Sequence, residues 1–197
     1  MDEERHEVED RIQAAAKAGQ LGEAATLGLG HYGPELLGYL VAITRDEVTA
    51  NEVFSMLAED MWRGLAGFRW ECTFRTWAYG LARSATSRYR RDAFRRHAVA
   101  LDDSGYAEVL ARLRSTTATY MRTETKDKIA RIRAELDPDD QTLLILRINR
   151  NLGWREIARV FAEADGEPDA ELDRRSAALR KRFERLKTEL KKRAKAD

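Results

Sequence analysis

The residues whose types and spacing could do chemistry are concentrated in one segment, residues 68–92. It reads FRWECTFRTWAYGLARSATSRYRRD and contains two Trp, two Phe, two Tyr and six Arg. Cationic side chains attract phosphates, and aromatic rings stack on unpaired bases. The combination predicts contact with single-stranded nucleic acid, and packing of the rings in a core with the arginines solvated is the alternative.

A helical wheel divides residues 77–91 into two faces. The apolar face is predicted to pack on the preceding helices and consists of Trp77, Ala78, Leu81, Ala82, Ala85 and Tyr89. The other face is cationic and hydroxylated, which suits phosphates, and consists of Tyr79, Arg83, Thr86, Ser87 and Arg90. We predict that Trp77 packs in the core because it lies in the apolar stripe.

Trp70 falls outside this helical pattern, in the loop that precedes the helix. An exposed aromatic ring beside cations can stack an unpaired base and contributes about 1–3 kcal/mol per base. The predicted contacts with a single-stranded nucleic acid are Arg69, Trp70, Thr73, Tyr79, Arg83, Ser87 and Arg90. Cys72 is the only cysteine, so we expect no internal disulfide and interpret it as a small packing residue.

The composition favours an all-α protein without metal or cofactor. Good helix formers dominate, whereas the chain of 197 residues has only three prolines and twelve glycines. Its three histidines, His6, His31 and His97, are too scattered for a metal site. No apolar run approaches the roughly 18 residues of a membrane span, and the N-terminus is acidic where a signal peptide is basic. We therefore expect a soluble cytoplasmic protein.

Helical periodicity predicts two helical domains, residues 1–96 and 126–197, joined by a linker at residues 97–125. In the first domain we expect a helix at residues 3–18, ended by Gly19 and Gly22, and a second helix opened by Gly33-Pro34. The apolar face of a third helix carries Val53, Phe54, Leu57 and Met61. Its other face carries Glu52, Ser55, Met56 and Glu59.

Two segments resemble bacterial extracytoplasmic-function sigma factors of the sigma-70 family. The match to the family's second conserved region is carried by Phe68, Arg69, Phe74, Thr76, Trp77, Tyr79, Ala82 and Arg83. The match to its fourth region is carried by Leu136, Pro138, Leu143, Leu146, Arg147, Leu152, Glu156, Ile157 and Ala158. The resemblance implies a four-helix region 2-like domain followed by a helix-turn-helix region 4-like domain.

By this resemblance the chain is a sigma factor, which binds core RNA polymerase and directs promoter recognition and opening, and not an enzyme. Residues 49–68 resemble the family's polymerase-docking helix, so the implied polymerase contacts are Glu52, Ser55, Met56 and Glu59. The seven predicted nucleic-acid contacts of segment 68–92, from Arg69 to Arg90, would bind the minus-ten element of the promoter. Whether an anti-sigma factor also binds the chain stays open.

By the same resemblance, the C-terminal segment is predicted to bind the minus-thirty-five element of the promoter. Residues 174–197 hold eleven basic and three acidic residues. This local positive charge does not show in the net charge of the whole chain, which is +1. After a loop at residues 162–173, Leu179, Phe183, Leu186 and Leu190 predict a stripe that packs on residues 154–161. The opposite face carries Arg174, Ala177, Lys181, Arg185 and Thr188, of which the first three are the predicted base contacts. Arg185, Lys191 and Lys192 are predicted to bind phosphates, and Thr188 and Lys192 complete the predicted contacts with this element.

Two other functions fit parts of the sequence. A helix-turn-helix regulator that works without polymerase would explain the second domain, but a simple repressor has no need of an aromatic loop for unpaired bases. A helical scaffold for protein partners would not require the basic residues at the C-terminus. The sigma-factor interpretation accounts for both halves of the chain.

Overall fold

The computed structural model describes residues 2–92, 136–162 and 166–196, and every regular element in these ranges is helical. The all-α prediction is therefore confirmed for the described residues. The chain divides into two compact units, Met1–Tyr120 and Met121–Asp197. The predicted linker at residues 97–125 lies outside the described ranges, and so do the expected domain boundaries. No helix in these ranges has both the length and the apolar character needed to cross a membrane.

Four α-helices make up the described part of the first unit. They are α1 (Asp2–Lys17), α2 (Leu21–Thr44), α3 (Glu47–Gly64) and α4 (Phe74–Asp92). A 3₁₀ turn, Leu65–Gly67, ends α3, and residues 68–73 lead into α4. The α2 helix packs against the other three, so it lies at the centre of the unit. The predicted apolar face of α3 is confirmed, since Val53, Phe54, Leu57 and Met61 are all buried.

The prediction that Gly33-Pro34 opens the second helix is wrong, because α2 begins at Leu21 and runs through Pro34. Proline has no N–H to donate, so the carbonyl of Gly30, four residues earlier, loses its helical partner. Gly30 is exposed, and water can solvate that carbonyl. The left-handed φ of 77° at Gly19 agrees with a helix end there, whereas Gly22 lies inside α2 instead of ending α1.

The helices α2 and α4 approach closely at Gly28. A β-carbon at this position would lie 2.3 Å from two carbon atoms of the Phe74 ring, which is fully buried. Only glycine leaves room for the ring at the first residue of α4. This contact fixes where the aromatic segment of the sequence enters the core.

Three α-helices make up the described part of the second unit, α5 (Pro138–Leu144), α6 (Trp154–Val160) and α7 (Asp169–Ala196). The side chain of Asp137 caps α5, and a π-helical turn, Ile145–Asn149, extends that helix. Asn151, with a φ of 53°, adopts a left-handed conformation between this turn and α6. The predicted order of helix, short turn and helix is confirmed.

The buried stripe of the last helix is confirmed at Leu179, Phe183 and Leu186, whereas Leu190 is only half-buried. The helix itself begins earlier than predicted, at Asp169 instead of Arg174. Acidic side chains near a helix N-terminus interact favourably with the helix dipole, and this segment supplies Asp169 and Glu171. The predicted loop at residues 162–173 is therefore shorter, because its last five residues belong to α7.

Candidate nucleic-acid interface

The segment that leads into α4, residues 68–73, forms what we call the aromatic loop. Trp70 in its middle adopts a left-handed backbone conformation with a φ of 58°. This region is uncommon for residues other than glycine and costs a bulky side chain energy. The surrounding contacts must therefore hold Trp70 in place.

A contact between aromatic rings provides one such restraint. The Trp70 ring lies 4.6 Å from the ring of Phe68, which in turn stacks on Trp77 at 4.7 Å with an interplanar angle of 16°. Trp77 is 7% exposed, which confirms its predicted place in the core. Trp70 is half-buried, and we had expected it to be exposed. Its ring contacts Phe68, and the residue as a whole keeps part of its surface accessible.

The polar residues of the aromatic loop face solvent. Arg69 forms a salt bridge with Glu71, and its side chain is 59% exposed. Thr73 is also exposed and is the N-cap of α4, since its hydroxyl accepts a hydrogen bond from the Thr76 N–H at 3.1 Å. Arg69, Trp70 and Thr73, the three predicted DNA contacts of the loop, thus lie together before the start of α4.

The predicted cationic face of α4 needs a correction at Tyr79. Its ring is fully buried, and its hydroxyl donates a hydrogen bond to Glu35 at 2.8 Å. Thr86, placed on the same face, is buried as well and donates to the Ala82 carbonyl. Because α4 packs on three helices, its buried arc is wider than the wheel suggested. A base or phosphate therefore has no access to Tyr79 in this packing.

The other predicted contacts of α4 remain near the surface. Ser87 and Arg90 are exposed, and Arg83 is half-buried. Arg90 also donates a hydrogen bond to the Ile43 carbonyl at 3.1 Å, which anchors it to the end of α2. These three side chains and the aromatic loop form the part of the first unit best suited to a nucleic-acid strand.

A buried ion-pair network that the sequence did not reveal holds α4 to α2. Arg75 lies 7% exposed and donates from Nε to Glu35 at 2.9 Å, and Tyr79 donates to the same carboxylate oxygen. Farther along α4, Arg88 pairs with Asp60 of α3. These partners are far apart in sequence, so no local pattern could have indicated them.

The predicted polymerase-binding residues lie on the solvent side of α3. Glu52 is exposed, while Ser55, Met56 and Glu59 are half-buried. The Glu52 carboxylate accepts a hydrogen bond from the Tyr89 hydroxyl of α4 at 2.7 Å. Glu59 pairs with Arg63 at 3.4 Å. The proposed docking helix and the proposed DNA helix are thus connected through Glu52.

The sequence reasoning missed two exposed apolar residues on this side of α3. Val48 is 68% exposed and Trp62 is 55% exposed. Together with Glu52, Ser55 and Glu59 they follow one another at intervals of four, three, four and three residues, which places them along one helical stripe. A helical wheel of α3 drawn one turn further at each end, to Val48 and Trp62, would have placed both residues on this stripe.

All six residues predicted to contact the minus-thirty-five element are exposed on one side of α7. They are Arg174, Ala177, Lys181, Arg185, Thr188 and Lys192, which we call the outer stripe. Because α7 begins at Asp169, these residues start in its second turn and not in its first. The first turn is acidic, and Arg155 of α6 forms salt bridges with Asp169 and Asp173. The positive charge of α7 therefore begins at Arg174.

A second cationic feature of this unit is a pair of arginines on the Trp154 ring. The guanidinium carbons of Arg147 and Arg180 lie 5.0 Å and 5.6 Å from the ring centroid of Trp154. Trp154 also packs edge-on against Phe183 of α7 at 5.4 Å. These contacts hold α6 against α7 and place the two arginines on the Trp154 ring.

Each unit thus presents cationic side chains on a rigid helical support, and the first unit adds a half-buried aromatic ring. Such surfaces can bind phosphates, and the ring can stack on a base. No protein-family model matches this chain, and a search of curated proteins found no significant match.

Proposed function

We propose that the chain is a sigma factor that binds core RNA polymerase and directs promoter recognition and opening. The observation that carries the proposal is the aromatic loop, in which Trp70 lies in a strained left-handed conformation against Phe68. A backbone strain of this kind is typical of functional positions. Neither a scaffold nor a regulator of duplex DNA has an evident use for it.

In this function the aromatic loop receives bases that have left the duplex. The half-buried Trp70 would provide the stacking platform, and Thr73 and Arg69 lie close enough in sequence to contact the same strand. Arg83, Ser87 and Arg90 on α4 follow toward the C-terminal end of that helix and would hold phosphates. Tyr79 takes no part, because it is buried.

The outer stripe of α7 supports the second half of the proposal. The described salt bridges of α7 leave Lys181, Arg185 and Lys192 without an acidic partner. A long helix with positive charge on its exposed face can lie in the major groove and bind phosphates on both sides. Lys181 is nearer to the middle of the helix than Lys192, so we expect base contact from the former and phosphate contact from the latter.

The solvent side of α3 is the proposed polymerase-docking surface. Charge reversal at Glu52 and Glu59 together should weaken binding to core polymerase. Reversing Glu52 also removes the hydrogen bond from Tyr89, so Tyr89→Phe is the matched control. If Tyr89→Phe weakens binding as much as the double reversal, the effect arises from the contact between α3 and α4 and not from docking.

The decisive experiment combines purified protein with core RNA polymerase. We expect the two to co-elute in size-exclusion chromatography and to start transcription at a discrete site. Permanganate footprinting then measures strand opening by Trp70 variants. Trp70→Gly removes the ring and relieves the left-handed backbone, whereas Trp70→Ala removes the ring alone. Both should lose opening if the ring stacks on a base, and Trp70→Tyr should retain most of it.

The outcomes separate the candidate functions. Binding to duplex DNA at a specific sequence without polymerase, combined with no association with core polymerase, would favour the helix-turn-helix regulator. Normal strand opening by Trp70→Gly and Trp70→Ala would remove the stacking role of the ring. Loss of core-polymerase binding in these two variants would indicate a misfolded first unit.

A further inference from the structure

A carboxylate from α1 lies at the N-terminus of α4. The Oε2 atom of Glu9 accepts a hydrogen bond from the Phe74 N–H at 2.7 Å, and Oε1 accepts one from the Arg75 N–H at 3.0 Å. These partners are 65 and 66 residues apart in sequence. Glu9 therefore connects the first helix of the chain to the point where the aromatic loop becomes helix.

The first N–H groups of a helix have no partner within the helix. In α4 the Thr73 side chain satisfies the third of them, at Thr76, and Trp77 donates to the Thr73 carbonyl. Glu9 satisfies the first two, at Phe74 and Arg75. Its negative charge also interacts favourably with the positive end of the helix dipole.

Tyr32 of α2 fixes the orientation of this carboxylate. Its hydroxyl donates a hydrogen bond to Glu9 Oε1 at 2.7 Å, and its ring stacks on Phe74 at 6.1 Å. Burial, with a smaller contribution from Glu9, raises the pKa of Tyr32, so the phenol stays protonated and remains a donor. Glu9 is thus held between two elements, α2 and the first turn of α4.

We propose that Glu9 is a positioning residue that fixes the conformation of the aromatic loop and, through it, the place of the Trp70 ring. The Arg75 N–H, the second of the two amides that Glu9 binds, lies five residues after Trp70. The aromatic loop therefore has little conformational freedom while the first turn of α4 is hydrogen-bonded. Without the carboxylate that turn can open, and the left-handed conformation at Trp70 loses one of its restraints. The consequence for strand opening rests on the function proposed above.

The test on the full chain uses nuclear magnetic resonance of the protein alone. Glu9→Ala should raise the exchange rate of the Phe74 and Arg75 amides by roughly 5- to 30-fold, the factor expected for loss of a side-chain cap. Glu9→Gln keeps the side-chain volume and one carbonyl acceptor, so it should restore part of the protection. Glu7→Ala is the matched control, because Glu7 lies exposed on the same helix and carries the same charge.

The four tryptophans supply a second readout, since each indole N–H gives its own signal. In Glu9→Ala we expect the Trp70 signal to shift or broaden, while the signals of Trp62 on α3 and Trp154 in the second unit stay unchanged. Equal amide exchange and equal Trp70 signals in Glu9→Ala and Glu7→Ala would overturn the proposal. So would an equal change at Trp62, which would indicate general loss of structure. If Glu9→Ala does not fold, the same comparison is made with Glu9→Gln and Tyr32→Phe.

Strand opening provides the functional arm of the test. At saturating core polymerase, Glu9→Ala should open the promoter more slowly than Glu7→Ala while binding polymerase equally well. Equal opening by the two variants would overturn the link between Glu9 and DNA. If wild-type protein opens no promoter, the proposed function fails, and the amide exchange still decides whether Glu9 positions the loop.

Discussion

Replacing Glu35 by leucine should destabilise the first unit strongly, because one oxygen of its carboxylate accepts three hydrogen bonds. Arg75 donates to Oε1 from Nε at 2.9 Å and from a terminal guanidinium nitrogen, and Tyr79 donates to it at 2.8 Å. The side chains of Arg75 and Glu35 are 8% and 22% exposed. Glu35→Leu removes the counter-charge from a guanidinium that has little access to water.

The size of the effect follows from this burial. Removing one partner of a fully buried ion pair costs about 3–5 kcal/mol. Because Glu35 retains some contact with solvent, we expect about 2–4 kcal/mol for Glu35→Leu and a similar loss for Arg75→Met. The double variant should lose about 1–3 kcal/mol less than the sum of the two, since neither charge is then left behind.

Urea unfolding of the full chain measures these losses. In a Trp154→Phe background the remaining tryptophans, Trp62, Trp70 and Trp77, all belong to the first unit, so fluorescence reports that unit. The variants should lower the midpoint with an unchanged slope, which identifies a change in stability. Strictly additive losses in the double variant would refute the reasoning, because they would show that the pair is not energetically coupled.

Three further predictions concern other parts of the chain. Gly28→Ala should destabilise the first unit by about 1–3 kcal/mol in the same assay, because its β-carbon would lie 2.3 Å from the Phe74 ring. Hydrogen bonds from Thr49 lower the pKa of Asp46, so the stability that ionised Asp46 provides is present above its ordinary pKa of 3.8 and lost as the pH falls through the lower folded value. The difference in thermal midpoint between wild type and Asp46→Asn should therefore shrink in acid, and a constant difference would contradict this. Lys181→Ala should weaken specific DNA binding by about 1–3 kcal/mol and relax selectivity at one position, whereas Lys192→Ala should weaken all sequences alike in salt titrations.

Periodicity identified the buried surface of helices that are covered along one side. In α7 the interval between Leu179, Phe183 and Leu186 was sufficient, because only one side of that helix is covered. The same reasoning failed for Tyr79, which lies beside the apolar stripe on a helix that packs on three others. The fraction of a helix surface that is buried depends on how many helices pack against it. The local sequence pattern does not give the number of these neighbours.

Local breaking signals were similarly incomplete. Gly33-Pro34 resembles a helix start, yet the cost of an interior proline is lowered where the carbonyl four residues earlier is exposed to water. The start of α7 was misplaced for the opposite reason, since the acidic residues after Pro168 were assigned to a loop although they suit a helix N-terminus. In both cases the helix is longer than the prediction.

In the candidate site, too, some residues could be predicted from the sequence and others only from the tertiary structure. The position of Arg69, Trp70 and Thr73 in a loop before α4 could be predicted from the sequence, because Trp70 falls outside the helical stripe. Glu9 could not be found, since a carboxylate on an acidic amphipathic helix resembles its solvated neighbours. Only the tertiary structure brings it to the start of α4.

The density of arginine in segment 68–92 has a structural cause as well as a proposed functional one. Arg75 binds Glu35, Arg88 binds Asp60, and Arg90 binds the Ile43 carbonyl, so these three reach from α4 to α2 or α3. A long side chain with several donors can cross the edge of an apolar contact and still satisfy a polar group on the next helix. Because Arg75 and Arg88 are paired with carboxylates, positive charge counted along the sequence overstates the charge available to phosphates. In the proposed function the segment offers a nucleic acid the Trp70 ring, which lies in the loop before α4, and these arginines attach α4 to α2 and α3.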